Sequence, residues 1–201
     1  MSGLEAGGGW VFDLDGTLTV HQHDFDAIRV ELAIPAGRFI LEYLDELAQH
    51  APQRAAAAHA RLAAIEQALT GAAVAAPGAH ELLARLAARG ARLGILTRNT
   101  RANALAALAA IGLERYFPAT SVLGRDEAPP KPAPDGITHF LARWQLPAAQ
   151  CVMIGDYHLD LAAGRHAGVT TVHVHADHAL GWPALTDIRL HSLTELLDLL
   201  R

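Results

Sequence analysis

The stretch Trp10-Val11-Phe12-Asp13-Leu14-Asp15-Gly16-Thr17 decides how this chain is read. An apolar run delivers two carboxylates, and Gly16 then breaks it. A buried strand therefore ends where the chain must turn. In an open α/β sheet, ligands bind at the carboxyl ends of the strands. Side chains two apart on a strand face the same way, which predicts that Asp13 and Asp15 converge on one point. Two adjacent carboxylates repel, and one takes up a proton unless a cation offsets them. The pair points to a divalent metal.

Downstream of Thr17 the texture changes. From Leu18 to Ala76, Phe25, Ile28 and Leu32, then Phe39, Ile40, Tyr43, Leu44 and Leu47, recur at helical spacing. Pro35 and Gly37 separate these two pieces. A third, alanine-rich piece runs from Gln53 to Leu69 and closes at Thr70-Gly71. Alanine favours helix but buries little area, so residues 19–76 read as a small all-helical insertion.

From Pro77 onward, strands alternate with helices. Helices are predicted over Ala79–Arg89, Ala102–Ile111, Asp135–Gln145, Leu159–Ala167 and Leu193–Leu200. Strands are predicted over Arg92–Thr97, Thr120–Leu123, Cys151–Ile154 and Thr170–Val174, with a weak one near Arg189–His191. This alternation indicates βαβ units. The fold class is therefore α/β, a parallel-sheet Rossmann-like core (1–18 and 77–201) with helices on both faces.

Composition sets bounds. A chain of 201 residues, 51% of them apolar, holds one core domain and a small insertion. A net charge of -5 argues against nucleic acid or an anionic membrane as partner. A single cysteine permits no intrachain disulfide and fits a reducing cytoplasm. Met1–Gly9 lacks the pattern of a signal peptide, and its glycines at 7, 8 and 9 read as a flexible leader. No stretch approaches the roughly 20 apolar residues of a membrane span.

The polar residues gather at the predicted strand ends. Strand 1 ends in Asp13 to Thr17, and strand 2 in Thr97-Arg98-Asn99 before a helix. The loop after strand 3 carries Lys131 in Pro130-Lys131-Pro132, and strand 4 ends in Gly155-Asp156-Tyr157-His158-Leu159-Asp160. Four acids against one lysine leave an anionic pocket. A hard, oxygen-seeking cation such as Mg²⁺ would neutralise it, and the pocket would then accept a phosphate dianion.

This arrangement resembles the haloacid dehalogenase superfamily of phosphotransferases, in its phosphoglycolate phosphatase-like and β-phosphoglucomutase-like branch. Four motifs occur in order over nearly the whole chain, and the helical insertion looks like that family's cap. The resemblance implies that Asp13 is the nucleophile, forming an aspartyl-phosphate, and that Asp15 is acid and then base. It implies Mg²⁺ held by Asp13, the Asp15 main-chain carbonyl and Asp156, with Asp160 behind them. Thr97 and the amides of Arg98 and Asn99 would hold phosphoryl oxygens at a helix N-terminus, and Lys131 would offset negative charge.

The expected activity is hydrolysis of a small phosphomonoester, such as phosphoglycolate or a sugar phosphate. A phosphomutase of the same fold and a non-enzymatic phospho-ligand-binding module remain the alternatives. A dehalogenase would not need Asp15 or a metal. A phosphonate-cleaving relative would be expected to add a cap lysine, and Leu18–Ala76 holds none. Other polar residues read more plainly. Cys151 is expected to be an inert core thiol, and His173, His175 and His178 to lie at the surface or rim. His21 and His23 fall at the hinge into the insertion, and Arg38 is either a solvated charge or a substrate contact.

Overall fold

A computed structural model of the protein describes residues 8–20 and 24–200. The expectations for Gly7, His21 and His23 lie outside the described residues. The chain divides into one unit of residues 1–21 and 73–201 and a second of residues 22–72.

In the second unit, α1 (Phe25–Glu31), α2 (Ile40–His50) and α3 (Pro52–Gly71) follow one another. Asp24 caps α1 by accepting from the Ala27 N–H at 2.9 Å, and Pro52 opens α3 at a position that needs no donor. A small core of Ile28, Ile34, Ile40, Leu44 and Leu62 holds the three together. Arg38 is neither purely solvated nor free: it pairs with Glu46 at 2.6 Å and lies over the Tyr43 ring.

The first unit is the α/β core. Its helices are α4 (Ala79–Ala88), α5 (Arg101–Ala110), α6 (Asp135–Trp144), α7 (His158–Ala167) and α8 (Leu193–Leu199). Its strands are β1 (Gly9–Phe12), β2 (Arg92–Leu96), β3 (Val122–Leu123), β4 (Cys151–Gly155), β5 (Thr170–Val174) and β6 (Ile188–Leu190). All pair in parallel, in the order β3-β2-β1-β4-β5-β6. Residues 19–20 and 73–76 belong to this unit. The Val20 N–H donates to the Val74 carbonyl at 2.8 Å, and the Ala76 N–H to that of Leu18 at 2.8 Å.

The alternation of β1 builds both faces. Trp10 and Phe12 join Leu82, Leu86, Leu108, Ile154 and Leu196 in one cluster, while Val11 joins Leu96, Ile137, Phe140 and Met153 in another. Full burial of each such side chain contributes about 1.5–3 kcal/mol. The sheet is thus covered on both sides, as parallel sheets must be.

The expected leader fails at its last two residues. Gly8 and Gly9 are buried, and Gly9 begins β1. A Cβ on Gly9 would stand 2.7 Å from the Trp144 ring, so this glycine is there for close packing rather than flexibility.

The register sets the site. Phe12 is level with both Ile95 and Ile154, so β1, β2 and β4 end side by side. The strand order reverses direction between β1 and β4, which is the switch point where such sheets bind ligands.

Candidate active site

Asp13 and Asp156 leave β1 and β4 on either side of that switch point. The Asp13 N–H donates to the Ile154 carbonyl at 2.8 Å, which continues the ladder one residue past β1. The chain then turns. The Leu14 carbonyl accepts from the Leu18 and Thr19 N–H groups, both at 3.0 Å. Gly16 takes a φ of +93°, a conformation that other residues rarely adopt. A Cβ there would lie 2.5 Å from an Asp156 carboxylate oxygen, so glycine alone lets the two loops approach. Thr17 uses that closeness: its hydroxyl donates to Asp156 Oδ1 at 3.3 Å.

The turn brings acids from two segments together. Ligating oxygens of Asp13, Asp156 and Asp160 lie within 4.8 Å of one another. Asp15 follows two residues later, after the regular strand has ended at Phe12. To Asp13 the fold adds two acids from the β4–α7 segment.

Lys131, the chain's only lysine, threads this group. Its Nζ donates to Asp13 Oδ1 at 2.6 Å and pairs with Asp160 Oδ1 at 2.5 Å. Burial alone would lower its pKa, but Asp13 and Asp160 outweigh that and raise it, so the ammonium stays charged. Asp160 also accepts from the Tyr157 N–H at 3.1 Å.

One ammonium does not balance three carboxylates. Burial, with Asp13 and Asp160 nearby, pushes the Asp156 carboxyl up to about 8. Burial pushes Asp160 up to about 6, against the pull of Lys131. An excess of negative charge on clustered carboxylate oxygens suits a hard divalent cation such as Mg²⁺. Asp160 is already engaged by Lys131 and the Tyr157 amide. Asp13 and Asp156 are engaged at Oδ1 by Lys131 and Thr17, so an ion could be held by the second oxygen of each.

The β2 end differs from expectation in detail. Thr97 is buried, and its hydroxyl accepts from the Asn99 N–H at 3.0 Å. The cap of α5 is Thr100, whose hydroxyl accepts from the Asn103 N–H at 3.2 Å. Thr97 therefore sits one short turn ahead of the helix, with the hydroxyl proton still available to donate. The Asn99 amide is bonded to Thr97 in the ligand-free site. Arg98 is half-buried, and its guanidinium donates to the Lys131 carbonyl at 2.9 Å. It ties the Lys131 loop to the end of β2.

The histidine expectation holds only in part. His175 is half-buried and His178 exposed. His173 is fully buried in β5, with Nε2 at 3.0 Å from the Asp156 carbonyl oxygen. Burial, with Arg189 adding to it, pushes its pKa down to about 4. Parallel register explains the position: His173 is level with Gly155, one residue before Asp156. Cys151 is buried as expected, and burial pushes its thiol up to about 12, which leaves it unreactive.

Comparison with known proteins agrees with this geometry. A family model described as haloacid dehalogenase-like hydrolase matches residues 10–168. A haloacid dehalogenase-like hydrolase domain-containing protein of Arabidopsis thaliana is 30% identical over 178 residues, covering 81% of this chain and 69% of that protein. A phosphoglycolate phosphatase of Cupriavidus necator is 36% identical over 118 residues, 55% of this chain and 51% of that one. The chain thus spans about half of that phosphatase. A solved hydrolase structure from Pseudomonas syringae superposes with a TM-score of 0.76 at 24% identity, covering 95% of this chain and 98% of that one, and shows the shared fold. With the Asp13, Lys131 and Asp156–Asp160 segments in place along one sheet edge, the chain belongs to the haloacid dehalogenase-like hydrolases.

Proposed function

We propose that this protein is a Mg²⁺-dependent phosphatase that hydrolyses a small phosphomonoester through an aspartyl-phosphate on Asp13. The observation that carries the reading is the buried Lys131 ammonium, paired with Asp13 and Asp160 beside Asp156. A surface lysine or a structural ion pair would not need a third, unbalanced carboxylate at the same point.

In this reading an Asp13 oxygen attacks phosphorus and the substrate P–O bond breaks. Asp15 gives its proton to the departing alkoxide. It then takes a proton from water as that water attacks the phosphoryl group, which frees Asp13 and releases phosphate. Thr97 donates its hydroxyl proton to a phosphoryl oxygen, and Lys131 offsets charge on Asp13 and on the transferring group. Mg²⁺ would be held by the carboxylates of Asp13 and Asp156 and by the Asp15 carbonyl. When bound, it supplies positive charge to the phosphoryl oxygens, the largest need of phosphoryl transfer.

Residues 19–76 are read as the cap that selects the leaving group, with residues 22–72 as its helical body. The substrate class is a small phosphorylated metabolite. Phosphoglycolate has the support of the Cupriavidus relative, and sugar phosphates are the other candidates. Among the described residues no helix is long and apolar enough to cross a membrane. We place the enzyme in the cytoplasm on its cysteine usage and net charge.

The test is phosphate release from a panel of phosphoglycolate, sugar phosphates and nucleotides, with Mg²⁺ or with EDTA. Mg²⁺-dependent release from one compound supports the reading. A sugar phosphate isomerised without release would make the protein a mutase instead. No turnover of any kind would favour a binding module.

A further inference from the structure

The peptide that joins Asp156 to Tyr157 is held at both of its polar atoms. Its N–H donates to Asp160 Oδ2 at 3.1 Å. Its carbonyl lies 3.0 Å from His173 Nε2. A carbonyl oxygen only accepts, so Nε2 carries the hydrogen and donates it. His173 Nδ1 is then a bare acceptor, buried and without a hydrogen-bond partner among the described residues.

An unsatisfied buried acceptor costs about 1–3 kcal/mol. The flanking Val172 and Val174 show what a buried site on this strand takes without that cost. A valine or leucine at 173 would serve packing as well. The polar ring therefore stays for its one hydrogen bond. Trp182 packs against it with ring centroids 5.1 Å apart, and β5 lies inside the sheet between β4 and β6, so the imidazole is fixed before it bonds.

The other end of the peptide leads into the catalytic group. Asp160 pairs with Lys131, and Lys131 with Asp13. His173 and Asp160 thus grip one peptide plane from opposite edges. That plane sets the direction in which Asp156 presents its carboxylate, while Thr17 holds Oδ1.

We propose that His173 is a positioning residue for the metal site, fixing the Asp156 peptide by an Nε2–H donor so that the Asp156 carboxylate is preset for a divalent cation. The inference rests on the metal reading under Proposed function. Groups that orient a ligand in this way are worth about 10–100-fold in metal affinity.

The experiment titrates the substrate-free protein with Mn²⁺, followed by the free-ion EPR signal, with Mg²⁺ as competitor. Wild type, His173→Leu and His173→Gln are compared, and melting in EDTA checks that each is folded. Leucine keeps the bulk and removes the donor, and glutamine restores an N–H donor at similar reach. The expected result is a roughly 10–100-fold weaker metal affinity for His173→Leu, with His173→Gln recovering most of it. His173→Leu binding as tightly as wild type overturns the proposal. Wild type that binds no metal overturns the metal reading itself, a separate outcome.

A second measurement uses wild type alone and stands if the leucine variant does not fold. Nitrogen-15 NMR of the histidine ring should show the Nε2–H tautomer, with a slowly exchanging proton that shifts when Mg²⁺ is added. An Nδ1–H tautomer, or a ring signal indifferent to the metal, contradicts the assignment.

Discussion

Lys131 Nζ donates to Asp13 Oδ1 at 2.6 Å across a sequence separation of 118 residues, and both side chains are buried. Lys131 is the only lysine in the sequence, and its ammonium is the charge paired with Asp13 and Asp160. Lys131→Met is expected to lower kcat about 10²–10³-fold, the usual loss when one preorganised charge or donor is removed from the transition state. It also leaves carboxylates buried without their partner, a change that costs about 3–5 kcal/mol. Steady-state kinetics and urea melts in EDTA measure the two effects. Unchanged kcat would place Lys131 outside the chemistry.

The raised Asp156 pKa makes stability depend on pH. The folded carboxyl, at about 8, keeps a proton that the unfolded chain gives up near pH 4. Stability from this group is whole below about pH 4 and is lost as pH rises through the folded value. Asp160, at about 6, contributes with the same sign over a narrower window. The Lys131 contribution is constant here, since its ordinary value of 10.5 already lies above the window. His173, at about 4 against an ordinary 6.5, opposes them below about pH 6.5 but over a narrower window than Asp156, so the metal-free protein should melt at lower temperature at pH 8 than at pH 5. Added Mg²⁺ should restore more stability at the higher pH, and Asp156→Asn should flatten the pH dependence while abolishing that restoration. Melting curves in EDTA and in Mg²⁺ decide it, and a metal-free Tm that rises from pH 5 to pH 8 would contradict the charge balance described.

Gly16 joins backbone conformation to ligand placement. With φ at +93° and an Asp156 oxygen 2.5 Å from the site of a Cβ, Gly16→Ala meets strain and collision together. The left-handed conformation alone costs about 1–2 kcal/mol, and the displaced Asp156 carboxylate should weaken metal binding as well. Urea melts and Mn²⁺ titration are the measurements. A neutral substitution would mean that the turn and the Asp156 loop are not packed as described.

The parts of the site that follow the chain locally were legible in the sequence. The run into Asp13, the Lys131 loop and the Asp156–Asp160 spacing each announce a strand end with polar cargo, and the structure puts them along one sheet edge. What depends on register was not legible. His173 sits in an alternating run that also contains His175, and nothing local says that Gly155 lies level with it. Thr17 and Arg98 likewise take partners 139 and 33 residues away.

The most direct test traps the intermediate. The protein is mixed with its preferred phosphomonoester and Mg²⁺, quenched in acid during turnover, and digested for mass spectrometry. Asp15→Asn, which slows the water step, is run beside wild type to raise the yield. The account predicts a phosphoryl mass increment on the peptide that carries Asp13, lost on treatment with hydroxylamine and absent from Asp13→Asn, which should not turn over. Sustained phosphate release by folded Asp13→Asn would contradict the covalent route.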